Sequence, residues 1–252
     1  LACSTFEEAF KLASEDSKYK IVIPIENSLA GRVADIHYLI PKYKLQVHAE
    51  HFHKVIHNLL GIKGSKIKDI KTVRSHSQAI GQCQKIISKH KLKSIISADT
   101  AGSAKFISEK NDKKESAIAS KLAAKIYNLE ILKSNVEDES GNTTRFLILQ
   151  KDSIHPKLGD KKYITSCIFK LKSIPAALYK ALGGFATNGV NLCKLESFSI
   201  KNTFDQVNFY IDIEGHIEDI SLQKALEELG FHTQKLDILG VYEAHPFRSK
   251  NK

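Results

Sequence analysis

Small polar side chains collect at the ends of apolar runs in the first part of the chain. Glu26-Asn27-Ser28 follows the run at residues 21–25, Ser75-His76-Ser77 follows 71–73, and Asp99-Thr100 follows 94–97. Thr144 and Arg145 head a further apolar stretch at 146–149. Where such a tip leads into a helix, free backbone N–H groups and a partial positive charge face the same way, which suits carboxylates. The chemistry implied is the holding of a small anionic ligand at several tips. Ser28, Ser77 and Thr100 also stand where helix caps belong, a role compatible with facing a ligand.

The elements that position these tips follow from periodicity. Residues 21–25 form a buried strand, and Leu29, Val33, Ile36 and Ile40 recur at helical spacing until Pro41 stops the helix. A strand at 71–73 precedes a helix carrying Ile80, Cys83, Ile86 and Ile87, and a strand at 94–97 precedes a helix at 101–109. A unit at 117–119 leads to a helix at 120–127, and residues 144–149 are a strand. Strand, tip and helix in repetition predict an α/β domain with a largely parallel sheet and its ligand at the carboxyl ends of the strands. Residues 153–162 have the composition of a linker. Beyond them come a strand at 163–171, a helix begun by Pro175, strands at 190–198 and 206–213, a helix at 217–229 ended by Gly230, and a strand at 232–242. That order, βαββαβ, is the ferredoxin-like arrangement.

Composition narrows the classes. Of 252 residues 42% are hydrophobic and 26% charged, as in ordinary globular proteins, and the length favours more than one core. No apolar run approaches the roughly eighteen residues of a membrane span. The net charge of +10 comes from scattered lysines, without an arginine-rich tract or an aromatic-basic motif, which argues against nucleic acid and for an ordinary solvated lysine surface, with attraction of a small dianionic substrate a modest addition. Cys3, Cys83, Cys167 and Cys193 form no CxxC pair, as expected of reduced thiols in the cytoplasm. His48, His51, His53 and His57 cluster, but no acidic or cysteine partner completes a tetrahedral set, so no metal is expected.

Four stretches carry a resemblance. Residues 23–35 (Ile-Pro-Ile-Glu-Asn-Ser-Leu-Ala-Gly-Arg-Val-Ala-Asp), 75–83 (Ser-His-Ser-Gln-Ala-Ile-Gly-Gln-Cys), 98–104 (Ala-Asp-Thr-Ala-Gly-Ser-Ala) and 142–146 (Asn-Thr-Thr-Arg-Phe) are similar to the motifs of prephenate dehydratases, in family order and at family-like intervals. Residues 174–182 and 191–197 resemble the ACT regulatory domain of that family. The resemblance implies a two-lobed, periplasmic-binding-protein-like α/β catalytic domain over residues 1–152 and a ferredoxin-like ACT domain over 163–248. It implies conversion of prephenate to phenylpyruvate, water and carbon dioxide without a cofactor, in phenylalanine biosynthesis. Feedback by phenylalanine and assembly into a homodimer or homotetramer are implied as well.

Carried over residue by residue, Thr144 is the catalytic group, a poor acid in water whose role includes positioning the departing oxygen. Glu26, Asn27, Ser28, Ser75, Gln82, Asp99 and Thr100 line the substrate cleft. Arg145 pairs a substrate carboxylate in a forked geometry or makes a structural ion pair. Glu26 and Asp99 are unexpected beside a dianion, which calls for a protonated carboxyl or bonds to backbone amides and the substrate hydroxyl. Ala176, Ala177, Leu178, Asn191, Leu192, Glu196 and Ser197 form the effector site. Ala176 stands where the family commonly has glycine, and Ser197-Phe198-Ser199 departs from its usual Ser-Arg-Pro. The chain holds no methionine, and in the family a strand, a glycine-rich turn and a helix precede the segment at 1–6, so the catalytic domain is expected to be N-terminally incomplete. Two rivals remain: dehydration of arogenate, and a catalytically silent amino-acid-sensing module.

Overall fold

The structure, a computed structural model, describes residues 1–29, 31–32, 36–152, 154–199 and 207–250. In chain order the elements are α1 (Phe6–Glu15), β1 (Ile21–Asn27), β2 (Gly31–Arg32), α2 (Leu39–Tyr43), β3 (Gln46–Lys54), β4 (Asn58–Gly61), β5 (Thr72–His76), α3 (Ser77–Gly81) and α4 (Gln84–Lys89). There follow β6 (Lys93–Ser97), α5 (Thr100–Lys110), β7 (Glu115–Ala119), α6 (Lys121–Ile126), β8 (Glu130–Lys133) and β9 (Thr143–Gln150). The C-terminal part holds β10 (Tyr163–Leu171), α7 (Ala177–Thr187), β11 (Leu192–Ser199), β12 (Val207–Glu214), α8 (Ile220–His232), β13 (Thr233–Glu243) and α9 (Phe247–Lys250). The chain divides into two compact units: Leu1–Glu26, Arg32–Phe52 and Arg145–Lys252 form one, Asn27–Gly31 and His53–Thr144 the other.

In the first unit, β1 and β9 are neighbours in a four-stranded sheet of order β2-β1-β9-β3. Alternation along β1 sends Ile21, Ile23 and Ile25 into the core, while Val22 stays largely exposed. They meet Phe10 and Ala13 of α1, a helix begun by Thr5, whose hydroxyl accepts from Glu8 N at 3.1 Å. Ile164, Ile168, Tyr210 and Tyr242 of the second sheet enter the same core. Each such burial is worth about 1.5–3 kcal/mol, enough to join the two sheets as one body. The compact units therefore do not part at the linker composition of 153–162.

That second sheet has the order β11-β12-β10-β13, with β11–β12, β10–β12 and β10–β13 all antiparallel. Its other face is covered by α7 and α8 through Phe185, Ala181, Leu222, Ala225 and Leu229. The element order is βαββαβ, as read from periodicity. Gly230 lies inside α8 rather than after it, because the chain runs on to His232 and passes straight into β13. The pairing of β10 with β13 shifts register between Ser166, opposite Gly240, and Cys167, opposite Ile238, and Gly240 packs closely on β3. A β-carbon at Gly240 would fall 2.1 Å from the carbonyl oxygen of Val47.

The second unit holds a five-stranded sheet of order β6-β5-β7-β4-β8. The pairs β5–β6 and β5–β7 are parallel, but β4–β7 and β4–β8 are antiparallel, so the largely parallel sheet expected is a mixed one. Short β4 and β8 give no alternation long enough to read and add the antiparallel half. The expected helix at 29–40 is absent from the described residues. Gly31–Arg32 is extended, and α2 begins only at Leu39. Pro41 lies within the first turn of α2, where its missing N–H costs nothing, instead of stopping a helix. Val33, Ala34, Asp35 and Ala30 of that expectation, and Gln206 at the start of an expected strand, lie outside the described residues.

Gly240→Ala should destabilise the protein by at least about 1–3 kcal/mol, since a rigid backbone atom occupies the space. A denaturant titration reads this directly, and an unchanged midpoint would contradict the packing of β13 on β3.

Candidate active site

β9 begins with a pattern that separates two neighbours. Its residues alternate between buried and half-buried, so Thr143, Arg145, Leu147 and Leu149 share one face and Thr144 and Phe146 the other. Thr144 and Asn27, at the end of neighbouring β1, both belong to the second compact unit. Asn27 Nδ2 donates to Thr144 Oγ1 at 3.0 Å and to Asn142 Oδ1 at 2.6 Å. Ser28 fixes the same corner with its backbone N–H on Thr143 O at 2.9 Å. Its hydroxyl donates to Gly141 O and accepts from Thr143 N, each at 3.0 Å.

The cluster extends behind Asn142. The Asn142 Nδ2 donates to Gln82 Oε1 at 2.7 Å, and His57 Nε2 lies 2.9 Å from that same oxygen. Asn142 and His57 are buried, Gln82 half-buried. The arrangement is made of neutral hydroxyl and amide groups. A hydroxyl that accepts a strong hydrogen bond is a better donor in turn, so Thr144 is prepared to give a hydrogen bond or a proton to an oxygen placed before it. Asn142 stands in the Asn-Thr-Thr-Arg-Phe stretch, but no role was read for it there. His57, one of the clustered histidines, lies just before β4, and its meeting with Gln82 depends on tertiary packing that carries no local signal.

The other predicted residues go elsewhere. Ser75 is fully buried on β5, its hydroxyl donating to Ile118 O at 2.6 Å. Asp99 caps α5, accepting from Gly102 N at 2.6 Å, so the cap is Asp99 and not Thr100. Likewise His76 caps α3 in place of Ser77, and the Ser28 hydroxyl bonds Gly141 and Thr143. Among the described residues, hydrogen bonds join Asn27, Ser28, Gln82 and Thr144 and leave Ser75, Asp99 and Thr100 outside that cluster.

Arg145 is corrected outright. Its side chain is 1% exposed and its donors are spent inside the first unit. The Nε donates to Glu50 at 2.8 Å, Nη1 to Glu26 at 3.0 Å and to Asp212, and Nη2 to Tyr242 at 3.0 Å. This is the structural ion pair, with no fork left for a ligand. Glu26 also receives Lys194 at 3.0 Å. Burial pushes its carboxyl up, but Arg145 and Lys194 outweigh that and hold it below the usual glutamate range. Glu26 is therefore ionised and neutralised by its own chain, which resolves its sign without a protonated carboxyl. Asp212 behaves alike: burial raises it, and Arg145, Ser166 and Tyr210 bring it below the usual aspartate range.

Of the proposed effector residues, Ala176 has a left-handed φ of 59° just before α7, a conformation that explains a glycine preference there. Ala177 and Leu178 open α7, and exposed Asn191 precedes Leu192 at the start of edge strand β11. Glu196 pairs with Lys194 at 2.8 Å and Arg32 at 3.0 Å, while Ser197 is exposed. Among the described residues no group of three or more His, Cys, Asp or Glu could hold a metal ion. His51 and His53 are exposed on β3, and the His51 ring packs edge-on against His245.

Arg145→Met should cost about 3–5 kcal/mol, because it leaves buried Asp212 without a cation and Glu50 with Arg248 alone. Since Glu26 and Asp212 titrate lower when folded than when unfolded, the stability they add is complete above about pH 5 and drains as pH falls through their folded values. Urea titrations of wild type and Arg145→Met at neutral and acid pH check both; a variant of unchanged stability would contradict the network.

A family model described as prephenate dehydratase matches residues 1–154. The chain is 42% identical over 250 residues to the bifunctional N-acyl-homoserine lactone acylase/prephenate dehydratase of Komagataeibacter europaeus, covering 99% of this chain and 89% of that protein. It is 37% identical over 255 residues to arogenate dehydratase/prephenate dehydratase 1, chloroplastic, of Arabidopsis thaliana, covering 95% of this chain and 64% of that longer protein. The solved prephenate dehydratase of Arthrobacter aurescens in complex with L-Phe superimposes with a TM-score of 0.87 at 26% identity, over 97% of this chain and 81% of that one. With the motif residues Asn27, Gln82 and Thr144 meeting in one polar cluster, the chain belongs to the prephenate dehydratase family.

Proposed function

We propose that the protein converts prephenate to phenylpyruvate, water and carbon dioxide, with Thr144 at the departing oxygen. The observation that carries this reading is the hydrogen bond from Asn27 to Thr144 Oγ1, which leaves the threonine's own O–H to be given away. In the reaction the bond between ring carbon and carboxylate carbon breaks. Its electron pair moves through the ring, and hydroxide leaves as water on taking a proton. Thr144 donates to that oxygen as charge develops on it, which is where a positioned donor lowers the barrier. The domain division carried by this reading is catalysis over 1–152, a linker over 153–162 and an ACT domain over 163–248. Glu26 and Arg145 support the site through the fold, not through contact with the ligand.

The βαββαβ segment is proposed to sense phenylalanine, the ligand named for the Arthrobacter aurescens relative, at Ala176, Ala177 and Leu178 with Asn191, Leu192, Glu196 and Ser197. Small side chains before α7 let a carboxylate approach backbone N–H groups. Pairing of two chains through this segment accounts for a homodimer or a tetramer of dimers. Among the described residues no helix is long and apolar enough to cross a membrane, and a cytoplasmic location is part of the proposal.

Two other readings are suggested by the names of relatives. Arogenate is named for the plant relative and differs from prephenate by an amino group in place of the keto group. Acylase activity is named for the relative at 42% identity. Burial pushes the thiols of Cys83 up to about 12 and Cys193 up to about 11, so neither supplies a ready nucleophile for that chemistry.

Incubation with prephenate should yield phenylpyruvate, read by its absorbance, and Thr144→Ala should lower turnover by about 10² to 10⁴ with folding intact. Product from arogenate alone, or near-normal turnover in the variant, would overturn the assignment. Calorimetry should show phenylalanine binding to the full chain, and no heat at millimolar phenylalanine would remove the sensing role.

A further inference from the structure

A side-chain amide can be turned either way, so the direction of a chain of amides has to be set at one end. Here the backbone sets it. Leu29 N–H can only donate, and it donates to Asn27 Oδ1 at 3.0 Å. The Asn27 Nδ2 must then face Asn142 and Thr144, to which it gives both hydrogens. Asn142, with its oxygen taken, turns its own Nδ2 to Gln82 Oε1. Gln82 Oε1 in turn faces the His57 ring, and two lone pairs do not bond, so His57 Nε2 must carry hydrogen. His57 is anchored by its backbone, with N–H donating to Glu137 Oε2 at 3.0 Å and the carbonyl accepting from Val136 N at 2.9 Å. Every member belongs to one compact unit.

Resting on the reading of Thr144 as the donor, we infer that Asn142 and His57 are positioning residues: with Gln82 they lock the Asn27 amide so that Thr144 Oγ1 always accepts and its O–H always points to the departing oxygen. Neither is hydrogen-bonded to Thr144 itself. Nε2–H is present both in the neutral tautomer required here and in the imidazolium, so the chain keeps its direction in either charge state. The ring works by where its hydrogen sits.

The test is Asn142→Asp, which keeps the shape of the side chain and removes its hydrogens. Gln82 must then turn its Nε2 toward the new carboxylate and toward His57, and a neutral His57 must answer with a bare Nε2 and hydrogen on Nδ1. Imidazole ¹⁵N chemical shifts of the substrate-free protein read the tautomer: Nε2–H is expected in wild type and Nδ1–H in Asn142→Asp. Turnover should drop by about tenfold to a hundredfold with KM nearly unchanged, the pattern of a misplaced donor. His57→Leu should do the same, and His57→Gln, which keeps a donor, should recover part of the loss. In a Thr144→Ala background neither substitution should cost anything further, since the group they position is gone. An Nδ1–H tautomer in wild type, no tautomer change in Asn142→Asp, or losses that multiply with Thr144→Ala would each overturn the inference. The tautomers are read without turnover, so they decide the chain of bonds even if Thr144 proves not to be the donor.

Discussion

The pleat of β9 is the constraint on which the rest depends. Successive side chains leave a strand on opposite faces, so neighbouring Thr144 and Arg145 cannot serve the same purpose. Thr144 faces the polar cluster of Asn27, Asn142 and Gln82, whereas Arg145 enters a core beside Glu50, Glu26, Asp212 and Tyr242. A slip of one residue in the register of β9 would exchange the two. It would bury a hydroxyl where a cation is needed and remove the polarised oxygen from the site.

Arg145 holds its register because its surroundings accept nothing else. Ion pairs run from Arg32 to Glu196, Lys194, Glu26 and Arg145, then to Asp212 and through Glu50 to Arg248. Four cations meet four carboxylates, so the set is balanced although much of it is buried. Taking these charges out of water costs about what their attraction returns, and the network adds less stability than its bond count suggests. Its physical effect is selective: any arrangement that separates one partner leaves a buried charge alone. It ties β1, β3 and β9 to β11, β12 and α9, which is why the βαββαβ segment is part of the first compact unit.

Much of the fold was legible where patterns are long. The strand at 163–171 is found at those limits, and the βαββαβ order follows from clear periodicity and a proline before α7. The helix expected from Leu29, Val33, Ile36 and Ile40 is not found at its described positions, because Leu29 and Ile36 fall outside any helix and only Ile40 lies in α2. Short β4 and β8 carry too few residues for a period. At the site, motif likeness found Asn27, Gln82 and Thr144 but left Arg145 open between a substrate carboxylate and a structural ion pair. The alternation of β9, visible as Thr-Arg-Phe-Leu-Ile-Leu, already sets Arg145 with Leu147 and Leu149 on the core face. Glu50, Asp212 and Tyr242 are invisible as its partners, since each lies on a different strand and only tertiary pairing brings them together.

The proposed chemistry places no titrating acid on Thr144 among the described residues, only the neutral amide of Asn27. The dependence of kcat on pH tests this most directly. A threonine donor held by Asn27, in a chain whose direction does not depend on the charge of His57, predicts a kcat that stays level between about pH 6 and 9. A limb of unit slope within that range would show that an ionising side chain delivers the proton, and would contradict the account.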